Sequence, residues 1–398
     1  MEGNYIKINK WLTPLSWLYG LGVRFRNWLF DAKILKSRSF ETPVIAVGNI
    51  TVGGTGKTPH VEYLVRLLHN QLRLAVLSRG YKRKSSGFLL ATQDTPMEQI
   101  GDEPYQMKQK FPDVMVAVDK KRTRGISKLT EGRAKDKADA VVLDDAFQHR
   151  YVKPGLNILL VDYQRLIIYD TLLPAGRLRE PLRGKDRADV VIVTKCPRDM
   201  KPMDFRVITK AMHLFPYQKL FFTTFEYEAL RPLFPKVAPK AAKALLKVAD
   251  LDGHNVLLLS GIASPRQLTD DVGALAPGAT LHELTFPDHH YFTKKDITAI
   301  NKAFKALPAP RCIVTTEKDA TRIATVKGLS DEVRQNLYVL PIRVVFMLEQ
   351  EQLFNERIIR YVRKNSRNRI VAEGTDANQS KDSHHSGDGS RTISFRNN

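Results

Sequence analysis

The stretch GNITVGGTGKTP, residues 48–59, decides how this chain is read. It follows PVIAVG, residues 43–48, a short run of β-branched and small apolar residues. It leads into VEYLVRLLH, residues 61–69, whose apolar residues recur at helical spacing. Strand, glycine-rich turn, Lys-Thr pair and helix, in that order, are the setting of a phosphate-binding loop. Gly53, Gly54 and Gly56 let the backbone turn tightly enough for its N–H groups to converge on a phosphate, with Thr51, Val52 and Thr55 completing the cradle. The helix that follows adds the partial positive charge of its N-terminus. Lys57 is spaced to reach the β- and γ-phosphates, and the Thr58 hydroxyl to coordinate Mg²⁺. Pro59 suits the first helical turn, where a missing N–H costs nothing. The usual spacing, G-x-x-x-x-G-K-[ST], asks for glycine where Thr51 stands. An ordinary glycine-rich turn would explain the glycines but not a Lys-Thr pair at the start of a helix.

Downstream, LRLAVLS (72–78), DVMVAV (113–118), DAVVLDD (139–145), LNILLVD (156–162) and DVVIVTK (189–195) are short and apolar without alternation. Strands covered on both faces of a parallel sheet read this way. Helical patterns at residues 61–69, 98–110 and 120–130 fall between them, which predicts a doubly wound sheet. A second set follows: KLFFTTFEY (219–227), NVLLLSG (255–261), residues 281–286, CIVTT (312–316) and LYVLPI (337–342), with helices at 265–271 and 294–305. The fold class expected is α/β, a P-loop NTPase-like doubly wound and mostly parallel sheet with a second, smaller α/β domain. The expected division is an N-terminal amphipathic region at 1–38, a core domain at 39–217, the smaller domain at 218–345, a helix returning to the core at 346–365, and a disordered tail at 366–398. PLFPKVAPKAAKALL, residues 232–246, reads as a connector. The tail is polar and aperiodic, and His384 and His385 within it are a weak metal signal.

The apolar strand ending in Asp144 and Asp145 is the partner such loops use to hold Mg²⁺. Guanine recognition would need [NT]-K-x-D after a late strand. Here TKCP (194–197) puts proline in place of the aspartate, and TEKD (316–319) displaces the lysine, so ATP is preferred.

A net charge of +21 asks for an anionic partner: nucleic acid, a membrane surface or a phosphorylated substrate. No nucleic-acid-binding module is recognisable, so none is expected as partner. The two cysteines, Cys196 and Cys312, are far apart and suit a reducing compartment. No apolar run approaches the roughly 20 residues that span a bilayer, and no cleavable signal pattern is present. All three tryptophans lie in the N-terminal segment, where Trp11, Leu15, Leu18, Gly22, Phe25 and Leu29 recur at helical spacing among Lys7, Lys10, Arg24, Arg26, Lys33, Lys36 and Arg38. That pattern fits a helix lying in a membrane surface, or one packed on its own domain; Pro14 and Gly20 argue against one straight helix.

Seven motifs occur in order: GNITVGGTGKTP, LSRGYKRK, GDEPYQMKQKFP, VVLDDAFQHR, LLPAGRLREP, LLSGIASPRQL and FPDHHYF. Together they resemble the tetraacyldisaccharide 4'-kinase family of lipid A biosynthesis, over roughly residues 12–363. The resemblance implies γ-phosphoryl transfer from ATP, with Mg²⁺, to the 4'-hydroxyl of a lipid A disaccharide 1-phosphate. It also implies peripheral or monotopic attachment to the anionic cytoplasmic face of the bacterial inner membrane. By motif it makes Asp102 the general base, His289 the histidine paired with it, and Glu103 a Mg²⁺ or water ligand. It places Asp144, Asp145 and Gln148 near Mg²⁺ and the phosphates, and Arg122 and Arg177 in the active site. Ala146 stands where the family often has glycine. Asp102 and His289 fall in different expected domains, so the resemblance implies a site closed by bringing them together. Without it, Asp102 and Glu103 read equally well as helix-capping residues, His289 and His290 as loop histidines, and Arg177, Arg179 and Arg183 as a solvated basic face. The competing readings are a P-loop GTPase or metallochaperone-like NTPase, and a nucleotide-gated membrane-binding module. Oligomeric state is left open.

Overall fold

The computed structural model describes residues 8–131, 137–237, 247–262, 265–288 and 290–379, with side chains described as far as residue 365. The chain begins with α1 (Thr13–Asp31), β1 (Val44–Gly48), α2 (Lys57–Leu68), β2 (Leu74–Ser78) and β3 (Leu89–Leu90). Next come α3 (Met97–Ile100), α4 (Asp102–Lys110), β4 (Met115–Val118), α5 (Arg122–Thr130), β5 (Ala140–Leu143), β6 (Leu156–Asp162), β7 (Val190–Thr194), α6 (Pro202–Met212) and β8 (Lys219–Tyr227). After them lie β9 (Arg231–Pro232), β10 (Asn255–Ser260), α7 (Pro265–Leu275), β11 (Thr280–Thr285), α8 (Lys294–Ala306), β12 (Arg311–Thr316), α9 (Glu317–Ile323), α10 (Asp331–Gln335) and β13 (Leu337–Leu340). β14 (Ile342–Phe346) and α11 (Glu351–Gln379) end the described chain.

Two compact units result: Phe225–Arg343, and the described chain on either side of it. The larger unit holds a nine-stranded sheet ordered β14-β8-β7-β6-β1-β5-β2-β4-β3. β1 pairs in parallel with β5 on one side and β6 on the other. The chain winds away from β1 first toward β2 and β4, then toward β6 and β7. β1 therefore sits at the switch point, where the carboxyl ends of strands open a crevice for ligands. Every residue of β1, β2, β5 and β7 is buried, as their unbroken apolar sequence requires. Val44 and Ala46 pack with Leu77, Val141 and Leu143, and with Ile126 and Leu129 of α5, in one core.

In the smaller unit five strands run β11-β10-β12-β13-β9, parallel except for β9 against β13. Alternate residues of β10 serve opposite faces. Val256 and Leu258 meet Leu268 and Val272 of α7, while Leu257 and Leu259 meet Ile297, Ile300 and Phe304 of α8. Asp319, fully buried, accepts bonds from Gly261 N–H (2.9 Å), the Thr316 hydroxyl (2.8 Å) and Arg322 (3.1 Å). The displaced lysine motif at 316–319 thus serves the unit's interior.

Three expectations change. KLFFTTFEY does not open the smaller domain: β8 pairs in parallel with β7 as part of the large sheet. Its buried start, through Phe221 and Phe222, reads the same for either sheet in isolation. α1 is one continuous helix, because Pro14 falls in its first turn and Gly20 faces Leu172, whose Cδ1 would lie 2.7 Å from an added Cβ. The backbone is helical to Gln379, so the disordered tail expected from residue 366 is corrected over 366–379. That segment holds no proline, and its two Arg, two Ala, one Glu and one Gln favour a helix. Residues 380–398, including His384 and His385, lie outside the described residues, as does much of the expected connector, 238–246. α11 returns to the large sheet through buried Phe354, Ile358 and Val362, and through the Tyr361 hydroxyl, which accepts from Val44 N–H (3.0 Å) and donates to its carbonyl (3.1 Å).

Candidate active site

β1 ends at Gly48 because nothing larger fits: an added Cβ would lie 2.8 Å from the backbone nitrogen of Phe147. This close approach seats the turn after β5 against the start of the loop. Asn49 then braces the loop from within. Its Nδ2 donates to Thr55 Oγ1 (2.9 Å) and, at a longer 3.4 Å, to Thr51 Oγ1. The opposite flank is held by residues 177–179: Val52 N–H donates to Arg177 O (2.8 Å), and Arg179 N–H to Ile50 O (2.7 Å). Thr51 is bridged to Leu178 in an extended pairing and is not among the positive-φ residues. The position where the usual pattern asks for glycine therefore needs none here. Gly53 (φ +117°) and Gly56 (φ +77°) do take up conformations that favour glycine. Val52, Gly53 and Gly54 are exposed at the tip, while Thr55 and Thr58 are buried.

Behind the loop, Thr194 Oγ1 donates to Thr55 O (3.0 Å). His60 is buried, with Nδ1 2.7 Å from Gly56 O and Nε2 3.0 Å from Thr223 Oγ1. Burial pushes the imidazole down to about 4, so it is neutral at physiological pH. Sequence reasoning missed Asn49, Thr194 and His60; only Asn49 and His60, inside or beside the motif, carried any local signal.

Acids gather at the same strand ends. Lys57 Nζ lies 3.6 Å from Asp145 Oδ1, and Arg179 Nη1 4.0 Å from Asp145 Oδ2. The Thr58 hydroxyl donates to Glu103 Oε1 (3.1 Å), which brings the start of α4 beside the start of α2. Gly101 (φ +92°) separates α3 from α4 and lets the chain pass close to Tyr81 O, 2.9 Å from where a Cβ would sit. Asp102 is buried at the first position of α4, and its Oδ1 accepts from Glu103 N–H (3.0 Å). Asp144 is buried and its Oδ1 has no hydrogen-bond partner among the described residues. Burial pushes its carboxyl up to about 7, with the charges of Glu103 and Asp145 adding to the shift against Lys57 and Arg122. Arg122 is also buried, donating to Asp119 O (2.7 Å) and Asp144 O (2.9 Å), so it fixes the backbone beneath the acids.

Arg177 has an exposed side chain, while its N–H is held by Asp170 Oδ1 (3.1 Å). The Gln148 carbonyl accepts from Arg26 of α1 (3.1 Å). His289 lies outside the described residues. Among the described residues no three His, Cys, Asp or Glu side chains are close enough to form a metal cage.

A sequence model of the family described as tetraacyldisaccharide-1-P 4'-kinase matches residues 8–363. The chain belongs to this family. It is 57% identical to the tetraacyldisaccharide 4'-kinase of Phocaeicola vulgatus over 92% of its own length and 99% of the relative's. It is 50% identical to that of Bacteroides fragilis (strain ATCC 25285), over 96% and 100%. A solved structure, described as the "apo" form of LpxK from Aquifex aeolicus in complex with ATP, superposes with a TM-score of 0.66 at 29% identity. It covers 89% of this chain and 99% of that one.

For this member of the 4'-kinase family, α1 is tied to the same flank of the loop. Ser16 Oγ donates to Leu172 O (3.0 Å) and accepts from Ala175 N–H (2.9 Å), and Tyr19 donates to Arg179 O (2.9 Å). The buried face of α1 is Ser16, Gly20 and Phe30. Its apolar face points outward: Trp17 is 74% exposed, with Leu15, Leu18, Leu21, Phe25 and Trp28 also exposed, and Trp11 just before the helix is 94% exposed. Arg26 is turned inward, unlike Arg24, Lys33 and Lys36.

Proposed function

We propose that this chain transfers the γ-phosphoryl group of ATP to the 4'-hydroxyl of tetraacyldisaccharide 1-phosphate, at the carboxyl ends of β1 and β5. The loop of residues 51–58 cradles the phosphates, and Lys57 neutralises charge on the transferring group. Asp102 takes the proton of the sugar hydroxyl as its oxygen bonds to phosphorus and the bond from phosphorus to the bridging oxygen of ADP breaks. Arg177 and Gln148 contribute to the phosphate side of the site, and Arg122 holds the Asp144 backbone. The observation that supports this reading is the Thr58–Glu103 hydrogen bond, since it joins the end of the phosphate loop to the start of α4, where Asp102 lies. His289 enters on the family resemblance alone.

Mg²⁺ fits the residues present. Asp144 offers a buried carboxylate oxygen with no partner among the described residues, and Thr58, its proton directed to Glu103, keeps lone pairs available. Asp145 and Glu103 complete the candidate set. Few protein ligands suffice, since Mg²⁺ takes most of its coordination from water and phosphate oxygens. When bound it would supply charge neutralisation at the phosphates. The test is γ-labelled ATP with tetraacyldisaccharide 1-phosphate: label should move to the lipid. ATP hydrolysis without lipid labelling would count for an NTPase instead.

The outward apolar face of α1 supports peripheral attachment to an anionic membrane, on the cytoplasmic face where ATP is available. No helix among the described residues is long and apolar enough to cross a membrane. Replacing Arg24, Lys33 and Lys36 by Gln is expected to weaken binding to anionic vesicles by up to about a hundredfold, at about 1 kcal/mol per charge, and to leave nucleotide affinity unchanged. Co-sedimentation with vesicles measures this, and undiminished binding would refute it.

A further inference from the structure

Within the loop, what points the N–H groups toward a phosphate is the orientation of two peptide planes. In a trans peptide the C=O and the following N–H point in opposite directions. Fixing the Thr55 carbonyl therefore fixes the Gly56 N–H, and fixing the Gly56 carbonyl fixes the Lys57 N–H. Both carbonyls are held from behind by side chains, Thr55 O by the distant Thr194 and Gly56 O by His60, one helical turn on. The Thr194 hydroxyl lies 3.0 Å from Thr55 O, with a weaker alternative acceptor, Val161 O, at 3.3 Å. The His60 ring lies 2.7 Å from Gly56 O. The ordinary helical bond to that same carbonyl, from His60 N–H, is long at 3.3 Å, so the ring makes the closer contact.

The ring's state follows from its neighbours. A carbonyl can only accept, so Nδ1 carries a proton. In a neutral ring Nε2 is then an acceptor, and the Thr223 hydroxyl at 3.0 Å donates to it. Thr223 and Thr194 are both fully buried, on the adjacent strands β8 and β7. The chain Thr223–His60–Gly56 thus runs from the sheet to the last glycine of the loop.

We propose that His60 is a positioning residue for ATP: oriented by Thr223 and acting with Thr194, it locks the Thr55 and Gly56 peptides so that the Gly56 and Lys57 N–H groups face the phosphates. The proposal rests on residues 51–58 being the phosphate loop, and the experiment separates the two. In the full-length enzyme, His60→Phe keeps the ring volume but removes the donor to Gly56 O. His60→Asn retains an N–H at the position of Nδ1. Thr223→Val removes the group that selects the tautomer, and Thr194→Val frees the Thr55 carbonyl.

The measurements are KM for ATP, KM for the lipid, kcat, MgADP affinity by calorimetry, and Tm. His60→Phe should raise KM for ATP and weaken MgADP about tenfold, a hydrogen bond's worth, with KM for the lipid unchanged. His60→Asn should recover most of that loss, and Thr223→Val and Thr194→Val should move the same two constants in the same direction. An unchanged KM for ATP in a folded His60→Phe enzyme overturns the proposal. So does equal loss in His60→Phe and His60→Asn with both KM values moving together, the pattern of a merely structural role. Should His60→Phe fail to fold, the two threonine variants decide, and unchanged MgADP affinity in both overturns it. Lys57→Ala runs alongside. If that variant binds and turns over ATP like the native enzyme, the phosphate-loop reading has failed and the lock falls with it. If only Lys57→Ala is impaired, the loop reading stands and the lock alone is wrong.

Discussion

Asp102→Asn is expected to lower kcat by about 10²–10⁴-fold, the usual contribution of a positioned general base, while leaving MgADP affinity and Tm unchanged. This substitution separates the two roles open to Asp102. Asp102 is the first residue of α4, just after its N-cap Gly101, and its Oδ1 accepts from Glu103 N–H at 3.0 Å, which satisfies one donor of the first helical turn. Asparagine serves as well as aspartate at a helix start. It has nearly the same shape and keeps an oxygen for the Glu103 N–H, but it cannot take up a proton from a sugar hydroxyl. A cap and nothing more would leave turnover intact in Asp102→Asn. A base would leave the fold intact and turnover nearly abolished. Burial of Asp102 beside the Thr58–Glu103 contact suits the second outcome, because a carboxylate shielded from water acts on an acceptor oxygen with less competition from solvent. Steady-state kinetics with the lipid acceptor, together with calorimetric titration of MgADP, measure both arms.

The second large effect is expected at Lys57. Lys57→Ala should lower kcat/KM for ATP by about 10²–10³-fold, comparable with loss of one charged or hydrogen-bonding group that stabilises transition-state charge. The ammonium lies 3.6 Å from Asp145 Oδ1, with most of its side chain shielded from solvent. That separation is loose for an ion pair, so the ammonium can turn to a phosphate without breaking a tight contact. Removing it leaves Asp145 beside Arg179, at 4.0 Å. The loop itself should persist, since Asn49, Thr194, His60 and residues 177–179 hold it without help from Lys57. A thermal melt therefore stays close to that of the native chain while activity collapses. Activity retained at more than about a third of native would remove Lys57 from this role.

The chemistry of this chain was legible where it is local. A phosphate loop is a strand, a turn and a helix contiguous along the chain, so its glycines, its Lys57 and Thr58, and the acids closing β5 can be read in order. Seven ordered motifs then identified the family, and the comparisons bear that out. The parallel sheet was equally legible, because strands covered on both faces cannot alternate and must look uniformly apolar.

Other features depended on contacts between residues far apart. The buried apolar start of β8 suits an edge of either sheet, and only its pairing with β7 assigned it. The periodicity of α1 defines an apolar stripe but not which side of the helix meets protein. Ser16, Gly20 and Phe30 take that side, leaving the tryptophans outward. Arg26 and Arg122 read as surface and active-site cations, yet one turns in to Gln148 O and the other is buried beneath Asp144. His60 meets Thr223 across 163 positions, and Thr55 meets Thr194 across 139.

By itself, then, the sequence determined most of the elements and the strand–glycine turn–Lys-Thr–helix order of residues 43–69, because those follow from short-range backbone geometry and periodicity. Tertiary structure alone decided which way each amphipathic face turns and which distant side chains hold the loop's carbonyls. Those choices depend on closing the sheet, and no local stretch of chain carries that information.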